Sequence, residues 1–255
     1  MPNAGPAGRR SVYHGFARVY DRLVGDAWFP TIRRSFERIV RRYGISFRSV
    51  ADLGCGTGTF VRYLSRRVPV VYGVDHAPAM LRIAAVKTEG SGVRLVRGNL
   101  AHLQLPERVD LMTCNFDTLN YVLSARTLSQ VFARCRAHLT GGGHFLFDMI
   151  LAPRHSRARE AEVHVLKAPG VLTRWAVTWN ARQRRSRVEM LYWLRSRSGR
   201  WYRTREVHVQ RWYSLPQICS VLARAGFVVR GVHDMETFRA ATPETAWAKF
   251  VAAAA

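Results

Sequence analysis

Ser-Val-Ala-Asp-Leu-Gly-Cys-Gly-Thr-Gly-Thr, residues 49–59, is a short hydrophobic strand that runs through an aspartate, Asp52, into glycines at alternate positions, Gly54, Gly56 and Gly58. A buried parallel strand that stops at glycines lets the backbone approach a ligand closely, and it presents the free N–H groups of the following helix to that ligand. The dinucleotide fingerprint G-x-G-x-x-G would need its third glycine at Thr59, whereas here it stands one residue earlier, at Gly58. Asp52 is the more selective signal. A carboxylate beside the turn repels a pyrophosphate and suits a ligand that bears an ammonium and a sulfonium.

S-adenosylmethionine (SAM) carries both of those charges, and the next segment supplies a grip for its ribose. Val-Pro-Val-Val-Tyr-Gly-Val (68–74) reads as a second buried strand ending in Asp75, which stands 21 positions after Gly54. In nucleotide-binding α/β folds, an acid at this place accepts hydrogen bonds from ribose hydroxyls. Strand, acid, G-x-G-x-G, helix, strand and acid in that order resemble the first two motifs of the class I SAM-dependent methyltransferases. The resemblance continues in the Gly-rich run Leu-Thr-Gly-Gly-Gly (139–143) before a hydrophobic strand, and in Asn115-Phe-Asp-Thr-Leu-Asn-Tyr121. The latter is similar to a run in small bacterial methyltransferases distantly related to amino-sugar N,N-dimethyltransferases.

The resemblance implies a cofactor site. Gly54, Cys55, Gly56 and Gly58 would shape the loop around the methionine part, with Asp52 near its ammonium, Asp75 and the adjacent His76 at the ribose, and Asn115 at the end of strand four. Met80, in Ala-Pro-Ala-Met-Leu, would cover the adenine or else sit in the helix core. Asn99 and Leu100 occupy the place where relatives carry Asp before a hydrophobic residue, and Asn can still accept from the adenine amino group and donate to a ring nitrogen. Tyr13-His-Gly-Phe-Ala-Arg-Val-Tyr-Asp21 is similar to a segment that folds over the cofactor in one branch, which makes Tyr13 and Tyr20 candidates. Methyl transfer needs position and desolvation more than a dedicated catalyst. Asp117, Asp148, His155, Tyr121 and Tyr213 lie near strand ends or the borders of a later insertion, and Asp117, Tyr121 and Tyr213 are the leading candidates to orient an acceptor or take its proton.

Along the chain, Thr31 to Tyr43 reads as an amphipathic helix, followed by strand 49–53, helix 58–67, strand 69–74, helix 77–87, strand 92–96, strand 109–115, helix 125–138 and strand 144–150. This alternation is doubly wound α/β. Extended runs around 163–167, 171–180, 187–195 and 200–212 suggest antiparallel hairpins, after which Ser214 caps a helix closed by Gly226, and strands 228–233 and 247–252 complete the sheet. The expected fold is an α/β Rossmann-like methyltransferase core, seven-stranded in the order 3-2-1-4-5-7-6, with an antiparallel β-rich insertion. Residues 1–12 would form a disordered tail, 13–150 and 213–255 the SAM-binding core, and 151–212 a lid.

Composition limits the partners. Of 40 basic residues only Lys87, Lys167 and Lys249 are lysines, and the net charge is +23 against 17 acids. That charge suits RNA, but arginine richness also follows from a GC-rich genome, so the two explanations stand side by side. The insertion interleaves Trp175, Trp179, Tyr192, Trp193, Trp201, Tyr202, Trp212 and Tyr213 with Arg182-Gln-Arg-Arg-Ser-Arg187 and Arg195-Ser-Arg-Ser-Gly-Arg200. Such a segment either closes over a small acceptor or binds single-stranded nucleic acid. The leading expectation is a SAM-dependent methyltransferase acting on N or O of a small-molecule acceptor; the alternatives are an RNA methyltransferase and a non-catalytic SAM-binding partner protein. Cys55, Cys114, Cys135 and Cys219 form no C-x-x-C pair and no metal-ligand spacing is present, so metal-independent chemistry is expected. No run approaches the roughly 20 apolar residues of a membrane span, and a cytoplasmic protein without membrane contact is expected, of unknown oligomeric state.

Overall fold

The computed structural model describes residue 13 and residues 15–151, 162–196, 198–242 and 244–255. The expected tail 1–12 and His155 lie outside the described residues. The core strands are β1 (Ser49–Leu53), β2 (Val70–Asp75), β3 (Arg94–Arg97), β4 (Val109–Cys114) and β5 (Leu139–Ile150), all parallel to one another. After four strands of a second sheet, β6 (Glu162–Ala168), β7 (Val171–Asn180), β8 (Arg185–Arg195) and β9 (Trp201–Arg211), the chain returns through β10 (Phe227–Asp234) and β11 (Trp247–Ala254). The larger sheet has the order β10-β11-β5-β4-β1-β2-β3, with β11 antiparallel to both β5 and β10; the smaller is the antiparallel meander β6-β7-β8-β9. This is the expected Rossmann-like methyltransferase core with its β insertion.

Alternation along the core strands sends successive side chains to opposite faces. Val50, Val71, Leu111, Leu146 and Val251 pack under helices α1 (Asp26–Tyr43) and α2 (Thr59–Leu64), where Ile32, Phe36, Ile39, Val61 and Leu64 are buried. Ala51, Tyr72, Met112, Phe145, Phe147 and Phe250 face α4 (Ala125–Ala137) and α5 (Leu215–Arg224). Between α2 and α4 in the chain, α3 (Pro78–Lys87) leans on β2 and β3. Ser214 caps α5 in a full capping box with Gln217. The arginines of α1 are solvent-exposed.

Two boundaries differ from the sequence expectation. Helix α1 begins at Asp26, five residues before Thr31, because Phe29 and Ile32 continue the apolar face beneath the cofactor loop and a π-helical turn, Asp21–Gly25, feeds directly into it. The glycines 141–143 do not form a turn before β5. They lie inside it, in an irregular stretch where the register with β4 jumps from Val109↔Leu139 to Leu111↔His144, and Gly142 takes φ of 74° there. No helix among the described residues is long and apolar enough to cross a membrane.

Candidate active site

Strands β1 and β4 are neighbours although β2 and β3 separate them in the chain, so the connections leave them in opposite directions and open a crevice beyond their C-terminal ends. The glycine loop lies there. Gly54 takes φ of 72°, and a Cβ on it would come within 2.5 Å of Thr118 Cγ2, so only glycine lets this loop meet the turn after β4. Gly58 takes φ of 83° and abuts Ala84 of α3, where an added Cβ would lie 2.9 Å from the alanine methyl. Asp75, at the end of β2, ties the glycine loop to its own turn, accepting from Gly56 N at 2.9 Å and from Ala77 N, two residues on, at 2.8 Å.

A cavity of about 440 Å³ fills the crevice. Asp52, Gly54, Cys55, Gly56, Asp75, His76, Met80, Asn99, Leu100, Asn115, Tyr13 and Tyr20 all line it, so the tertiary structure gathers nearly every expected cofactor residue around one space. Gly58 does not line it; it sits at the start of α2 and sets the packing against α3. Met80 lines the cavity and also packs with Ala17 and Ala77. Asn99 uses its Oδ1 to cap a short 3₁₀ turn, accepting from Ala101 N at 2.9 Å, so its amide group is the part left for a ligand.

Asp52 is buried. Its Oδ1 takes the Thr113 hydroxyl at 2.6 Å and the Asn115 amide at 3.4 Å, while among the described residues no donor reaches Oδ2. Desolvation pushes its carboxyl up to about 7, against the partial relief given by Thr113, Lys249 and Asn115. Lys249, on β11, is equally buried and donates to Asn115 Oδ1 at 2.5 Å, with Asp148 Oδ2 at 3.6 Å. Desolvation holds its ammonium below the usual lysine range.

The N-terminal segment forms the outer wall. Asp21, which sequence reasoning missed, lines the cavity and is held by Lys87 Nζ at 2.6 Å and the Thr57 hydroxyl at 2.6 Å. Phe16 and Val19 pack against Val171, Met190 and Tyr192 of the smaller sheet, with the Phe16 and Tyr192 rings stacked at 5.4 Å. The segment is therefore clamped between core and lid.

A second cavity, of about 660 Å³, lies between the lid sheet and the strand ends, and Tyr13, Tyr20, Phe116 and Tyr121 line both spaces. Its lid wall follows strand alternation: His164 and Leu166, then Trp175, Val177 and Trp179, then Val188 and Met190, then His208 and Gln210 point inward. Arg174, Arg187, Arg203 and Arg205 occupy exposed alternate positions, and Arg187 and Arg205 pair with Glu189 at 3.0 and 2.7 Å. The cavity-lining Trp175 and Trp179 thus lie on the face opposite these arginines, whereas Trp193 and Trp201 share the arginines' face.

Asp117 enters this second cavity from a strained turn. Phe116 and Asp117 take φ of 56° and 46°, a conformation that costs a non-glycine residue about 1 to 3 kcal/mol. Asp148 holds it by accepting Phe116 N at 3.1 Å and Asp117 N at 2.7 Å, which makes Asp148 a strut of the site. Burial and the charge of Asp148 push the Asp117 carboxyl up to about 7, with a hydrogen bond from Gln210 opposing them. Tyr121 stands at the junction of the cavities, and burial, reinforced by Asp117, raises its phenol so that it stays protonated. Tyr213 is a correction. It lines neither cavity; its ring belongs to the core and its hydroxyl donates to the Val122 carbonyl. His208 and Gln210 escaped sequence reasoning although the spacing of Glu206, His208 and Gln210 on a strand already put them on one face.

A parallel sheet with its ligand crevice at the switch point, a glycine loop between two acids, and a buried carboxylate with an unused oxygen fit SAM, whose ammonium needs such an acceptor. The fold is that of the class I SAM-dependent methyltransferases, and residues 50–143 match the family described as a methyltransferase domain. A Geobacillus sp. (strain WCH70) protein carrying a methyltransferase name is 27% identical over 220 residues, covering 85% of this chain and 89% of the relative. The dTDP-3-amino-3,6-dideoxy-alpha-D-glucopyranose N,N-dimethyltransferase of Streptomyces fradiae is 26% identical over 132 residues, 52% of this chain and 48% of that one. Among solved structures, a SAM-dependent methyltransferase from Clostridium acetobutylicum ATCC 824 superposes with a TM-score of 0.80 at 22% identity, covering 96% of this chain and 99% of that one.

Proposed function

We propose that the protein transfers a methyl group to the nitrogen of a small, cationic amine held in the second cavity. The observation that carries this reading is the character of that cavity within a chain of net charge +23. Asp117, Glu162 and Glu236 line it together with Trp28, Trp175, Trp179, Trp212 and Trp247, whereas Arg211 is the sole arginine among its described lining residues. Carboxylates and aromatic faces attract ammonium ions. Its volume of about 660 Å³ lies in the range of small-molecule sites. The Streptomyces relative is named for an amino-sugar nucleotide, which supports an amine but not the nucleotide. Arg211 donates to the Leu123 carbonyl at 3.1 Å and lies over the Tyr213 ring, so no cationic clamp for a diphosphate is built among the described lining residues.

SAM, when bound, supplies an electrophilic methyl group. Asp52 would pair with its ammonium, Asp75 would take the ribose hydroxyls, and Asn99, Leu100 and Met80 would border the adenine. Tyr13, Tyr20, Phe116 and Tyr121, common to both cavities, exclude water from the junction and align the two reactants. Asp117 draws in the cationic acceptor. The RNA alternative is less favoured, because Arg174, Arg187, Arg203 and Arg205 are exposed and line neither cavity, and Arg211, which does line one, is engaged with the Leu123 carbonyl and the Tyr213 ring. A panel of small amines, their hydroxyl analogues and RNA, incubated with methyl-labelled SAM, tests this assignment. Label should enter amines, and Asp117→Asn should raise the amine KM about tenfold or more while leaving SAM affinity within twofold. Label in hydroxyl compounds or RNA alone would overturn it.

A further inference from the structure

Behind Tyr121 runs a buried chain of hydrogen bonds that acceptor binding does not require. The Tyr13 and Tyr121 hydroxyls lie 2.9 Å apart, the Tyr121 hydroxyl lies 2.8 Å from His208 Nδ1, and His208 Nε2 lies 3.2 Å from Glu206 Oε2. Glu206 also accepts the backbone N–H groups of Tyr13 and Phe16, both at 2.8 Å, and of Gly15. Burial favours the neutral acid, but the His208 hydrogen bond and those three amides outweigh it and hold the Glu206 carboxyl below its usual range. Glu206 is therefore a carboxylate, which can only accept. The Nε2 of His208 must therefore carry a hydrogen; with a neutral imidazole, Nδ1 accepts from Tyr121, whose oxygen in turn accepts from Tyr13. The remaining lone pair of that oxygen is available to an acceptor at the junction of the cavities.

We infer that Tyr121, His208 and Glu206 form a proton relay that deprotonates the bound amine before methyl transfer. The inference rests on the amine reading above. An acidic, aromatic cavity selects the ammonium form, and that form has no lone pair with which to attack. Tyr121, the catalytic residue, takes the ammonium proton on its oxygen while its own hydroxyl proton passes to His208 Nδ1. A neutral amine, a neutral phenol and an imidazolium paired with the Glu206 carboxylate result; no electrons leave the site. His208 and Glu206 act through Tyr121 as positioning residues. The titratable groups facing His208 are Glu206 on its own strand, Tyr121 from the turn after β4 and Tyr13 from the N-terminal segment, with Asp117 acting on the Tyr121 phenol and Tyr192 of β8 on Glu206 and Tyr121. Asp117 supplies attraction for the cation, and its own contact, from Gln210, comes from the same lid strand.

His208→Asn tests the relay, because the amide oxygen can stand where Nδ1 stood and accept from Tyr121 but cannot take a proton. General-base function is worth about 10²- to 10⁴-fold. The expected result is a fall of about 100-fold or more in kcat for the amine, with SAM affinity and amine KM within about twofold. Tyr121→Phe, which leaves the lid core intact, should lose kcat similarly and stands in if the first variant does not fold. Nitrogen NMR of the His208 ring in the protein without substrates should show the Nε2–H tautomer. An Nδ1–H tautomer, or an amine that both wild type and the variants methylate at equal rates, would overturn the relay alone. Wild-type protein that methylates only hydroxyl compounds would overturn the amine reading, even with the Nε2–H tautomer present.

Discussion

Asp52 combines two demands, since it must be a carboxylate to pair with an ammonium yet lies where desolvation favours the acid. Its carboxyl rises from 3.8 to about 7. The sign follows from linkage: the folded, ligand-free protein binds this proton more tightly than the unfolded chain, so Asp52 opposes folding increasingly as pH rises from about 4 to about 7. A bound ammonium reverses the balance by stabilising the charged form. SAM affinity should therefore be full above pH 7 and weaken below it, approaching tenfold per unit, so that calorimetry finds binding about 30-fold weaker at pH 5.5 than at pH 8. Asp52→Asn should bind weakly and with little pH dependence. Tight, pH-independent binding by that variant would remove Asp52 from the cofactor's charge. The acid was legible in sequence from its place between strand and glycine loop, but the burial that raises its proton affinity, and the partial relief from Thr113 of β4 and Lys249 of β11, arise only when the sheet assembles.

At the scale of elements, the loop after β4 is held in shape by neighbours far away in the chain. Asp148 on β5 accepts the backbone of Phe116 and Asp117 and the Trp247 indole at 3.1 Å, and balances Lys249 of β11. Removing one partner of a buried ion pair leaves the other uncompensated, which costs about 3 to 5 kcal/mol. Asp148→Ala should lower stability by that amount in denaturant unfolding and, where the protein remains folded, release the turn that carries Asp117 and Tyr121, with loss of methyl transfer. A loss under 1 kcal/mol would show that the turn does not rely on this strut. Periodicity exposed the strands of the lid as elements. Which of their faces turned inward was not legible, because both faces carry aromatic residues and the choice belongs to the packing of Phe16 and Val19 against Met190 and Tyr192.

For the whole molecule, charge and function occupy separate places. Among the described residues, the arginines of α1 and Arg174, Arg187, Arg203 and Arg205 of the smaller sheet are exposed, while both cavities are lined by carboxylates. Turnover of a small amine should then change less than about twofold between 50 and 300 mM salt, whereas an RNA substrate neutralised by several arginines would lose affinity steeply through counterion release. Steady-state rates across that salt range decide between them. The sequence by itself determined the class of fold and the kind of cofactor, because glycines, acids and hydrophobic strands in a set order are local features, each enforced by backbone geometry or by a single ligand group. Only the tertiary structure decided the second cavity, the burial of Tyr213 in the core, and the partnership of Tyr121 with His208 and Glu206. Tyr121 and His208 stand 87 positions apart and Val122 and Tyr213 stand 91 apart, and no local pattern encodes which distant side chains will meet once the smaller sheet packs on the larger.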